Sequence, residues 1–183
     1  MTQEGGRSGP PLGRLYDLAG RRLWLHRSGQ GRPAVVFLAG AGTVGLDYLN
    51  VQRRASQLTT SVLYDRGGIG LSDAARLNRS AAATADEARA LFSLAEVPSP
   101  YVLVGHSLGG LFARRYAQRF PSEVVGLVLL DPAHEDYEAF MPARLHELRR
   151  GTDGWIARTL RGHPVHFRQP EAVARAIADV LGR

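Results

Sequence analysis

The sequence predicts an α/β fold: a mostly parallel, doubly wound sheet entered through an N-terminal hairpin, with helices on both faces. Three observations predict it. Four apolar runs, PAVVFLAG (33–40), SVLYD (61–65), YVLVG (101–105) and VVGLVLLD (124–131), have the character of strands covered on both faces. Segments with helical spacing of apolar residues alternate with them. Ahead of the first run, GRLYDLAGRRLWLHRSG alternates on either side of Ala19-Gly20, the pattern of a β-hairpin.

The elements follow in order. Residues 1–12 are rich in Gly, Pro and Ser and read as a disordered tail; residues 13–183 read as a single domain. After the 33–40 strand, apolar residues at 46, 51, 55 and 58 predict a helix over Leu46–Leu58. Thr84-Ala85-Asp86-Glu87 has the form of a capping box opening a helix that runs to Ala95. Leu108, Leu111, Phe112, Tyr116 and Phe120 form one stripe, which Pro121 ends. Tyr137, Phe140, Met141, Leu145 and Leu148 form another over 137–149. Pro170 opens a last helix with Val173, Ile177, Val180 and Leu181 in register, and Gly182 supplies its cap. WIARTL (155–160) fits either a strand or a helical turn.

Composition narrows the function. The chain has no cysteine, which removes disulfides, thiol catalysis and thiolate metal sites together. The formal net charge is +6, and all 23 basic residues are arginines. They lie singly or in pairs, as at Arg21-Arg22, Arg53-Arg54, Arg114-Arg115 and Arg149-Arg150, so no nucleic-acid partner is expected. There is no signal-peptide-like apolar segment and no 18-residue apolar stretch, so the expectation is a soluble cytoplasmic protein without a membrane partner.

The chemistry centres on YVLVGHSLGG (101–110). G-x-S-x-G is a weak motif alone, but here it follows a buried strand and opens an amphipathic helix. Such a turn strains the serine backbone and projects the hydroxyl of Ser107 outward. The small residues two before and two after, Gly105 and Gly109, avoid clashes. The helix N-terminus places partial positive charge where an oxyanion would form, with the Leu108 N–H as one donor.

At this point the sequence resembles the α/β-hydrolase superfamily over most of its length. PAVVFLAGAG is similar to the family's third strand and oxyanion loop, with Ala39-Gly40 where His-Gly is usual. YDRGGIGLS (64–72) resembles the D-x-x-G-x-G-x-S segment after the fourth strand. LVLLDPAH (127–134) resembles the end of the sixth. GHPVHFRQPEAV (162–173) looks like the segment that carries the catalytic histidine. By position, the resemblance implies a second oxyanion N–H from Ala41.

The six histidines differ in promise. His26 reads as a surface strand residue. His106, inside the turn, points away from the reaction side and reads as packing or support. His134 could border the pocket, and His146 lies on the polar side of a helix. The resemblance makes His163 the general base and leaves His166 to hold its loop; His163-x-x-His166 lacks the further ligands of a metal site. The required order Ser, acid, His admits Asp131 or Asp153 as the orienting carboxylate. Asp131 ends a strand at the carboxyl edge of the sheet, where ligand sites gather, and is preferred; no apolar strand precedes Asp153.

Only 32 positions separate Asp131 from His163, so the lid and at least one C-terminal strand are expected to be reduced or missing. The expected function is a serine hydrolase that cleaves an ester or related acyl bond of a small molecule, with no cofactor and no metal. The alternative is an α/β-hydrolase-like protein whose shortened C-terminal region leaves the triad incomplete. A further alternative is a dinucleotide-binding oxidoreductase, because GAGTVG (40–45) matches G-x-G-x-x-G and Asp65 ends the next strand. A sheet edge bared by a lost strand would favour a homo-dimer.

Overall fold

The computed structural model describes residues 10–75, 80–133, 156–160 and 169–182. Strand β1 (Arg14–Leu18) pairs antiparallel with β2 (Arg21–Ser28). Ala19 and Gly20, at φ 53 and 80, form the tight turn between them; two successive left-handed residues match the twist of a hairpin. Strand β3 (Ala34–Leu38) follows, then a 3-10 turn (Gly45–Tyr48) and helix α1 (Leu49–Ala55). Next come β4 (Ser61–Tyr64), α2 (Ala81–Leu94), β5 (Tyr101–His106), α3 (Leu108–Arg119) and β6 (Val124–Leu130). Strand β7 (Ile156–Leu160) and helix α4 (Pro170–Leu181) complete the fold.

The strand order is β1-β2-β4-β3-β5-β6-β7. From β4 to β7 every pairing is parallel; β2 meets β4 antiparallel. Helices α1 and α4 pack together on one face, and α2 and α3 on the other. This explains the unbroken apolar runs: all five residues of β3 are buried, and alternate ones enter two different cores. Val36 and Leu38 join Leu91, Phe92, Leu103 and Tyr116 beneath α2 and α3. Val35 and Phe37 join Val51, Val104, Val128 and Ile177 beneath α1 and α4. Each such side chain, fully withdrawn from water, contributes on the order of 2 kcal/mol.

Most boundaries follow the expectations, and the departures have physical causes. The segment expected as one helix over 46–58 divides into the 3-10 turn and the short α1. Asp47 accepts the Val44 N–H at 2.9 Å and holds that first turn tight. Helix α2 starts a turn before the expected box: Ser80 is its cap, accepting the Ala83 N–H at 3.1 Å. Thr84 is therefore inside the helix, and Glu87 is free for another task. It accepts the Gly67 N–H at 3.0 Å and pairs with Arg21 at 2.9 Å, anchoring the segment after β4. His26, expected on the surface, is half-buried beside Trp24, and burial lowers its pKa. Of the ambiguous WIARTL segment, Ile156–Leu160 form a strand, because parallel pairing from Gly126–Leu130 reaches them. Residues 1–9 of the expected tail and the expected helix over 137–149 lie outside the described residues. No helix among the described residues is long and apolar enough to cross a membrane.

Candidate active site

The carboxyl ends of β5 and β6 lie level, with His106 opposite Leu130. Ser107 and Asp131 are therefore the first residues beyond adjacent strand ends. Both have left-handed backbones, at φ 49 and φ 43. For residues with a Cβ this conformation persists only where the surroundings impose it, and here they do. The Ser107 N–H donates to the Leu130 carbonyl at 3.0 Å. The Ser107 carbonyl accepts from the N–H groups of Gly110 and Ala133 at 2.9 and 2.8 Å. Arg114, buried on α3, donates to the Ala133 carbonyl at 3.0 Å. The loop after β6 is thus stitched onto the serine turn.

The glycines of the turn are needed for close approach. A Cβ on Gly109 would lie 1.9 Å from the Leu38 carbonyl oxygen, and one on Gly105 would lie 2.7 Å from the Gly109 oxygen. Their absence lets α3 press against the end of β3, bringing the 39–45 loop beside the serine. A Cβ on Gly40 would sit 2.9 Å from His106 Nδ1 and 3.2 Å from Ser107 Cβ. Ala41, the next residue, is exposed. Leu108 is the first residue of α3, so its N–H has no acceptor within the helix.

Behind the loop is a buried polar layer. His106 is 2% exposed and its Nδ1 lies 2.8 Å from the Tyr48 hydroxyl. Burial pushes the Tyr48 phenol up to about 12, although an N–H from Gly40 pulls the other way. His106 therefore faces away from the open side, as its place in the turn suggested.

YDRGGIGLS also acquires a physical explanation. Asp65, 2% exposed, accepts the Gly45 N–H at 2.7 Å and the Leu71 N–H at 2.9 Å. Ser72 donates to the Asp65 carbonyl at 2.7 Å and accepts the Trp24 N–H at 2.9 Å. Burial pushes the Asp65 carboxyl up, and the two N–H donors hold it down. A dinucleotide-binding reading needs this acid to face a ribose, but it is turned inward onto two backbone amides. Gly45, the last glycine of GAGTVG, opens only a four-residue 3-10 turn. Asp65 is thus the brace of the loop that flanks the serine.

The structure therefore brings together Ser107, Asp131, Leu108 and Ala41 at one edge of the sheet. His134, His146, Asp153, His163 and His166 lie outside the described residues. Sequence reasoning missed Tyr48, in the layer behind the loop, and Arg66, which is buried and donates to the Ala39 and Gly40 carbonyls. The available signal was a charged residue directly after an apolar strand, as Arg66 follows Asp65.

Residues 33–169 match the family model of the alpha/beta hydrolase fold. The chain belongs to that family. The uncharacterized protein YqjL of Bacillus subtilis is 33% identical over 124 residues, which are 67% of this chain and 49% of YqjL. A predicted CIB-like hydrolase from Thermoplasma acidophilum superposes with a TM-score of 0.75 at 19% identity, covering 92% of this chain and 96% of that one. Est816, described as an N-acyl homoserine lactone degrading enzyme, superposes with a TM-score of 0.60 at 22% identity, covering 90% and 64%. The chain spans about half or less of the length of curated relatives it matches, 49% of YqjL and 37% of the uncharacterized protein YbdG of Bacillus subtilis.

Proposed function

We propose that this protein is a serine hydrolase that cleaves an ester or related acyl bond through an acyl-enzyme. The observation that carries this reading is the Ser107 backbone, at φ 49 and ψ −120 between a buried strand and a helix N-terminus. A left-handed serine in that setting supports a nucleophile elbow.

In this reading the Ser107 hydroxyl attacks the acyl carbon while His163 takes its proton. The Leu108 and Ala41 amides receive the developing oxyanion, and α3 adds the positive end of its dipole. His163 then protonates the leaving alcohol, and water resolves the acyl-enzyme by the same exchange in reverse. Asp131 orients the imidazole and stabilises its charged form.

The reach to His163 is supported by chain geometry. Leu160 ends β7 level with Leu130, and His163 is three residues further along. Strand β7 is two positions from β5, so the lateral distance is about 10 Å at ~4.8 Å per strand. Three extended residues span at most about 10 Å, and the side chain adds to that. With one strand fewer than is usual in the family, the chain that leads to His163 starts one strand closer to the elbow. The short interval after β6 leaves room for little lid, which favours small soluble esters. Est816 is named for degrading an N-acyl homoserine lactone, a molecule that contains an internal ester, which is compatible with this class.

A fluorophosphonate probe tests the reading. Wild type takes one label at Ser107 and hydrolyses p-nitrophenyl acetate; Ser107→Ala does neither. Wild type that stays unlabelled while folded would instead favour the impaired-triad alternative. Activity on short acyl esters should be nearly level from two to six carbons, whereas strict preference for one long chain would contradict an open cleft.

A further inference from the structure

The loop that approaches Ser107 is held from behind by a cation. Arg66, 4% exposed, donates through Nη1 to the Ala39 carbonyl and through Nη2 to the Gly40 carbonyl at 3.0 Å. Its Cζ lies 4.9 Å from the centre of the Phe112 ring on α3, so the guanidinium is wedged between the loop and the helix that begins at the serine turn. Among the described residues the cis peptide bonds are Arg32–Pro33 and Ser99–Pro100, so the 39–40 and 40–41 bonds are trans. In a trans peptide the carbonyl and the N–H point in opposite directions. Fixing the Gly40 carbonyl on Arg66 therefore turns the Ala41 N–H away from the guanidinium. The Tyr48 hydroxyl, 2.8 Å from His106 Nδ1, lies in the buried layer behind the same loop. Both peptide planes are thereby held at their carbonyls.

We propose that Arg66 is the positioning residue of the oxyanion hole: it clamps the 39–40 and 40–41 peptide planes so that the Ala41 N–H is aimed at the space over Ser107. The fork geometry suits arginine alone, since two carbonyls one residue apart need two coplanar donors, and a lysine ammonium is a single point. Arginine also stays protonated at any working pH. Its charge polarises both peptides, which strengthens the N–H as a donor as negative charge develops on substrate. The loop with Ala39-Gly40 in place of the usual His-Gly pair is thus held by the residue that follows Asp65 after β4.

This role rests on the serine-hydrolase reading, and the experiment separates the two. Fluorophosphonate labelling of wild type at Ser107 is scored first. Arg66→Lys and Arg66→Met are then compared with wild type on p-nitrophenyl acetate. A trifluoromethyl ketone, which forms a charged hemiketal on serine, and the matching methyl ketone are tested as inhibitors. Removing an oxyanion donor outright costs ~10²–10³ in kcat; misaiming it should cost about 10- to 100-fold, with KM changed less than about threefold. Trifluoromethyl ketone affinity should fall in parallel while methyl ketone affinity and the pH profile stay put. If Arg66→Met does not fold, Arg66→Lys carries the comparison. Wild-type kcat and trifluoromethyl ketone affinity in Arg66→Lys, or a loss confined to KM or to the melting midpoint, would overturn the role of Arg66 and leave the serine reading standing. An unlabelled wild type would remove both.

Discussion

Ser107 and Tyr48 show what individual residues give up to form the site. A left-handed serine costs on the order of 1–3 kcal/mol, which its three backbone hydrogen bonds offset. Tyr48 lies in the layer behind the loop, and burial lifts its phenol from 10 to about 12. The fold thus favours the neutral phenol. The stability this lends is complete below pH 10 and is lost as pH rises towards 12, about 2–3 kcal/mol in all. The urea midpoint of wild type should therefore fall over that range, and Tyr48→Phe should show a shallower fall. Tyr64, Tyr101 and Tyr116, also raised by burial, account for the remaining slope. An identical slope in Tyr48→Phe would show that Tyr48 ionises as freely in the fold as out of it. None of this was legible in the sequence, where Tyr48 lies within the expected 46–58 helix but off its apolar stripe. Ser107 was legible because a strand, a serine between glycines and an amphipathic helix adjoin in the chain.

Among the elements, the strand-to-helix turn depends on contacts made at a distance. Gly109 sits against the end of β3, 71 positions before it in the chain at Leu38. Gly109→Ala should drive α3 off β3. Overpacking costs typically ~1–3 kcal/mol, and a methyl against backbone belongs at the top of that range. Calorimetry should show the melting midpoint lowered by about 5–10 °C, at 2–4 °C per kcal/mol for a chain of this size. An unchanged midpoint would mean that the turn is looser than described. The buried strands were readable because residues covered on both faces leave an uninterrupted apolar run. The start of α2 was not, since a Ser80 cap and a Thr84 box are equally good local signals. The decision came from Glu87, whose carboxylate is taken by Gly67 and Arg21. WIARTL was ambiguous for a similar reason: so short a segment adopts the state its neighbour imposes, and β6 pairs with Ile156–Leu160.

At the scale of the whole molecule, the sheet carries seven strands among the described residues, with β7 directly beside β6. The contraction was legible as a short interval between Asp131 and His163. The slot that the remaining strand occupies was not, because strand order is set by pairing that no local pattern encodes. The central claim is that this contracted sheet still delivers an imidazole to the elbow. It is tested most directly by the distance between Ser107 Oγ and the nearer ring nitrogen of His163 in a crystal structure of the active protein. The account predicts a hydrogen bond of about 2.6–3.2 Å, with the other ring nitrogen on the Asp131 carboxylate. A separation beyond about 6 Å, with another group bonded to Ser107, would contradict it.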